Sequence, residues 1–166
     1  ESLIQERISA SSDNSEYAGG KYSNEKVMAK TRQTIKNSNI PYSHLDTVKG
    51  IKADNDTIIA YGEKRGQIVE ATFNTETGII TLGPHGDKAV KHEIGHSVWK
   101  GKISSDDKVI VTNCFNASTK TGKGFVSNYS KTNIAEYFAE CYDARVSSPG
   151  GLNKKNPEMS KLLDRY

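Results

Sequence analysis

In this 166-residue chain, the stretch best suited to chemistry is His92-Glu93-Ile94-Gly95-His96. On a helix, residues four apart lie one above the other on one face. His92 and His96 can then present imidazole nitrogens to one metal ion. Glu93, one position past the first ligand, can reach over the same ion from the side. This is the donor pattern of a zinc hydrolase, with two histidine ligands and a glutamate as general base for a water at the metal. Two of only four histidines fall in this pattern. The alternative is a surface helix that carries two histidines by chance, and a third ligand is what separates the two readings.

A catalytic zinc site normally has three protein ligands. Residue 102, where a third histidine or an aspartate would follow at the common short spacing, is Lys102, and Trp99 stands where the accompanying glycine would be. Asp106 and Asp107 are weak candidates in a polar stretch. Glu136 and Glu140 are stronger. They lie four apart on one face of a helix, and the intervening Phe138 and Ala139 lie on its other, apolar sides. Two carboxylates on a core-facing helix are costly unless something compensates them, and a metal ion does so. Glu136 is assigned as the third ligand and Glu140 as the carboxylate that orients a ligand histidine through its other ring nitrogen. The reverse assignment remains open, as does a solvated face with both glutamates exposed. Tyr129 precedes Glu136 by seven residues. A phenol there could donate to an oxyanion, but the chain has eight tyrosines, and spacing alone does not single this one out.

These residues need two helices and a loop to hold them. The first helix is expected from Asp87, with Ala89, Val90, Ile94 and Val98 as its apolar side and Gly101 as its C-terminal cap. The second is expected from about Thr132 through Ala144. Residues 116 to 131 between them are rich in Ser, Thr, Gly and Lys and read as an exposed loop. Upstream, Ser23 or Asn24 caps a helix to about Asn37, with Val27, Met28, Thr31 and Ile35 buried. Thr57 to Tyr61 and Val109 to Val111 read as short strands. Gln67 to Phe73 and Gly78 to Leu82 read as a hairpin. Pro149-Gly150-Gly151 reads as a stop, and Pro157 opens a last short helix with Met159, Leu162 and Leu163 buried. Residues 1 to 22, where Ile4 and Ile8 could share one helical turn, read as a loosely ordered N-terminal segment. Residues 23 to 166 read as a single domain. The expected fold class is α+β, mainly helical, with a small antiparallel sheet or hairpin packed beside the active-site helix.

The bulk composition narrows the function classes. A length of 166 residues suffices for a core without disulfides or metals as staples. The net charge of +3, without a basic run interleaved with aromatics, argues against a nucleic-acid partner. No apolar run approaches the roughly 20 residues of a membrane span. The first residue is Glu1 rather than Met, as expected of a processed or trimmed chain. Cys114 and Cys141 form no C-x-x-C pair and are too few for a disulfide scaffold, although one bond between them is conceivable. Cys141 reads as a small core residue.

Together, His92-Glu93-Ile94-Gly95-His96 and Tyr129 followed by Glu136-Tyr137-Phe138-Ala139-Glu140 resemble the catalytic domain of anthrax lethal factor. They are also similar to the clostridial Pro-Pro endopeptidases of the same superfamily. The resemblance covers roughly residues 67 to 145. It implies a zincin-type metalloendopeptidase with zinc on His92, His96 and Glu136. It also implies Glu93 as general base and Tyr129 as donor to the oxyanion. On the same resemblance, the hairpin's edge strand would pair with an extended peptide segment of a protein substrate. The expected protein is a monomer that is secreted, as a bacterial toxin or effector. Two rivals are an intracellular peptidase of a mobile element or phage, and a zinc-binding interaction domain without catalysis. The Tyr129 to Glu140 segment argues against the first, and the retention of Glu93 against the second.

Overall fold

A computed structural model describes residues 8–10 and 20–166 of the chain. The fold is α+β and mainly helical, with one small mixed sheet among the described residues. The chain divides into two compact units, Glu1–Ile94 and Gly95–Tyr166.

In the first unit, Ser23 caps helix α1 (Asn24–Asn37) by accepting a hydrogen bond from the Lys26 amide. Its buried stripe of Val27, Thr31 and Ile35 has the spacing of one helical face. A short helix α2 (Tyr42–Leu45) follows. The sheet contains β1 (Ile8–Ala10), β2 (Gly50–Ala53), β3 (Ala71–Phe73) and β4 (Ile79–Leu82) in the order β1-β2-β4-β3. The expected hairpin is present with a shorter first strand, since Gln67 to Glu70 lie outside β3; β3 is antiparallel to β4, with Phe73 opposite Ile80. Its turn is held by the Asn74 side chain, which accepts from the Glu76 and Thr77 amides, and by Gly78 at φ 72°. The sheet is mixed rather than wholly antiparallel, because β2 runs parallel to both β4 and β1. Most of the N-terminal segment expected to be loosely ordered lies outside the described residues. The helical turn expected at Ile4 and Ile8 gives way at Ile8 to strand β1.

Thr57 to Tyr61 is not a strand. It lies inside helix α3 (Asn55–Arg65), where Asp54 accepts hydrogen bonds from the Thr57 amide and hydroxyl and Gly66, at φ 63°, ends the helix. The cap, the stop and the burial of Ile58 and Gly62 four apart outweigh the β-branched residues between them. After β4, a 3₁₀ turn (Gly86–Lys88) leads into helix α4 (Val90–Gly101). The boundary between the two units falls inside α4, which runs through it unbroken.

The second unit is helical. Helix α5 (Ser105–Thr121) replaces both the strand expected at Val109 to Val111 and the first part of the expected loop. Ser104 caps it, and Asp107, Val111, Cys114 and Ser118 form its buried stripe. Val109 and Ile110 face outward. A 3₁₀ turn (Tyr129–Lys131) then leads to α6 (Ile134–Ser147), capped by Asn133. Pro149 does not end the helical region; it occupies the first turn of α7 (Pro149–Lys155), where a missing N–H costs nothing. Asn156 caps α8 (Pro157–Leu163), whose Met159, Leu162 and Leu163 are buried as expected. Gly101 is the last residue of α4, but it is not among the glycines at positive φ, so α4 ends without a left-handed glycine cap. Both cysteines are buried free thiols.

Candidate metal centre

Helix α4 carries His92 and His96 on successive turns, with Glu93 next to His92. His92 and Glu93 are each 8% exposed, and Ile94 and Val98 beside them are fully buried. A glycine at position 95 brings α6 close. A Cβ built there would lie 3.1 Å from the Ala139 Cα and the Tyr142 Cβ, tighter than ordinary van der Waals contact. Ring contacts continue that packing, with Trp99 and Phe138 centroids 5.0 Å apart. This close approach sets His96 opposite Glu136 in the first turn of α6. The His96 Nε2 and Glu136 Oε2 atoms are 3.2 Å apart.

Donor atoms of His92, His96 and Glu136 all lie within 4.8 Å of one another. Because α4 is continuous, its own helical rise relates His92 to His96. Two imidazole nitrogens and a carboxylate suit zinc. Two tetrahedral zinc ligands at ordinary bond lengths stand roughly 3.3 Å apart, which matches the His96–Glu136 separation. In the absence of metal, an imidazole N–H can donate to the carboxylate across the same distance. The residues present therefore fit a zinc ion.

The other residues singled out from the sequence fall in two places. Glu140 lies one turn beyond Glu136 and accepts a hydrogen bond from the Ser127 hydroxyl at 2.7 Å. Tyr129 begins the 3₁₀ turn that packs against α6, and it is 54% exposed. Asp107, a weaker ligand candidate, accepts hydrogen bonds from Arg165, at 2.6 Å, and from the Tyr166 hydroxyl, so its carboxylate ties down the C-terminal residues. Ser127 and Ser130 also belong to this region, and the sequence marks them only weakly. Their Ser-x-x-Ser spacing, in which hydroxyls satisfy nearby backbone groups, was the available signal.

No family model matches the chain, and no curated protein matches it by sequence. Among solved structures, the Pro-Pro endopeptidase from Paenibacillus alvei is similar at 16% identity with a TM-score of 0.62. The match covers 99% of this chain and 100% of that one. At this identity the likeness is one of architecture: the chain shares the mainly helical α+β fold of a Pro-Pro endopeptidase.

Proposed function

We propose that this chain is a zinc-dependent endopeptidase, with residues 23 to 166 as its catalytic domain. The observation that carries the reading is the convergence of His92, His96 and Glu136, with the buried Glu93 next to the first of them. The fold shared with a Pro-Pro endopeptidase supports it. A zinc ion on these three residues would acidify a water and polarise the scissile carbonyl. Glu93 takes the proton of the attacking water and later delivers it to the departing amine. The Tyr129 phenol donates a hydrogen bond to the oxyanion. Glu140 orients a ligand histidine through its second ring nitrogen. The substrate is an extended segment of a protein. Strand β3, at the edge of the sheet, is the element to which a substrate strand would add. Sequences containing Pro-Pro are the first to test.

The finer reading keeps the resemblance to anthrax lethal factor in the segment from Tyr129 to Glu140, with the protein acting as a monomer outside the producing cell as a toxin or effector. Its recovery from the cell pellet alone, with none in the medium, would contradict that placement. The central experiment is digestion of a peptide library that includes Pro-Pro sequences, with and without a zinc chelator. Cleavage should occur, stop with chelator and return with added zinc. A protein that binds one equivalent of zinc yet cleaves nothing is a binding domain instead.

A further inference from the structure

Ser127 sits at the start of the segment that bears Tyr129, and its hydroxyl is shared between two elements. It donates to Glu140 Oε1 on α6 at 2.7 Å, and it accepts from the Ser130 amide at 3.1 Å. The Ser130 hydroxyl closes the loop on itself by donating to the Ser127 carbonyl at 2.6 Å. The Ser127 amide in turn donates to the Ser130 hydroxyl at 3.3 Å. Ser130 is fully buried while its neighbour Tyr129 is exposed. The four-residue turn is thus pinned at both ends, and Tyr129 projects from between the pins. The pin to α6 is a hydrogen bond to a carboxylate, the stronger kind.

We infer that Ser127 is a positioning residue, which locks the Tyr129 turn onto Glu140 and so fixes where the Tyr129 phenol stands relative to the metal-ligand helix. The inference rests on the proposed role of Tyr129. It adds a residue that touches neither metal nor substrate and acts through the tyrosine. Donors to an oxyanion lose their effect when displaced by about 1 Å, a misplacement that can cost up to about 100-fold in rate.

The test compares Ser127→Ala, Ser127→Thr and Tyr129→Phe, and the double variant Ser127→Ala/Tyr129→Phe. The substrate is a Pro-Pro-containing peptide cleaved by the zinc-loaded protein. Ser127→Ala should lower kcat about 10- to 100-fold, with KM and zinc affinity little changed. Ser127→Thr, which keeps the hydroxyl, should restore kcat. The double variant should be no slower than Tyr129→Phe alone, because the serine works only through the phenol. In the metal-free protein, the Ser130 amide should exchange about tenfold faster in Ser127→Ala than in the parent or in Ser127→Thr. If Tyr129→Phe lowers kcat but Ser127→Ala does not, or if the two losses multiply in the double variant, the inference is overturned and the role of Tyr129 stands. If Tyr129→Phe turns over at the parent rate, the role of Tyr129 and the inference fall together.

Discussion

Glu93 is a carboxylate held at 8% exposure beside His92, and the proposed mechanism makes it the general base. Glu93→Gln preserves its shape and hydrogen-bonding reach but cannot take a proton. Its kcat should fall by roughly 10²–10⁴-fold, the usual contribution of a general base, while zinc content measured by mass spectrometry stays at the parent level. Turnover within a few-fold of the parent would remove Glu93 from the mechanism. The legible part of the site is legible for a local reason. His92, Glu93 and His96 are related by a single helical turn, so their spacing in the chain is already their spacing in space. Glu136 lies 40 residues from His96, yet it could be picked out as one of two carboxylates four apart on a helix with an apolar, core-facing side. For Ser127 the Ser-x-x-Ser spacing signals only the local turn, and its bond to Glu140, 13 residues on, has no local signature.

At the scale of elements, the contact between α4 and α6 decides whether the site exists. Gly95 permits it, because a side chain there would press on Ala139 and Tyr142. Gly95→Val should force these two helices apart and destabilise the protein by about 1–3 kcal/mol, as overpacking commonly does. Zinc affinity should fall at least about tenfold, because His96 and Glu136 ride on the two helices. Competition with a chromogenic chelator measures this, and an unchanged dissociation constant would contradict it. The two segments expected as strands are helical because their surroundings override local preference. Thr57 to Tyr61 and Val109 to Val111 are rich in β-branched residues, a weak preference of a few tenths of a kcal/mol per residue. Each sits between a capping side chain and a left-handed glycine, Asp54 with Gly66 and Ser104 with Gly122. Each also contributes to a buried helical stripe, and these features together outweigh the local preference.

At the scale of the whole molecule, burial of weak acids makes stability depend on alkaline pH. Burial, with Glu158 alongside, pushes the Cys114 thiol up to about 11. Burial, with Cys114 and Glu140 nearby, pushes Cys141 up to about 12. Tyr137 is raised to about 12, again chiefly by burial, and Tyr142 is raised for the same reason. The folded state therefore holds these protons to higher pH than the unfolded chain, whose thiols ionise near pH 9. Their stabilising contribution is complete below about pH 9 and is lost as pH rises toward 11–12. The urea midpoint should accordingly be lower at pH 10.5 than at pH 8, and an equal midpoint would contradict the assignment. The same neutral thiols should react with a disulfide reagent only after unfolding, since the thiolate is the nucleophile.

The amino-acid sequence by itself determined the His-Glu-x-x-His helix, the Glu136 helix, the hairpin and the first and last helices. In each, the periodicity, and in all but the His-Glu-x-x-His helix a capping or turn residue, lies within one element, so short-range sterics and hydrogen bonding suffice. Only the tertiary structure decided the parallel pairing of β2 with β1 and β4, the helical state of residues 57–61 and 109–111, and the seating of the Tyr129 turn on Glu140. Strand partners and long-range hydrogen bonds join residues that no local pattern relates, so their free energy appears only once the chain has packed.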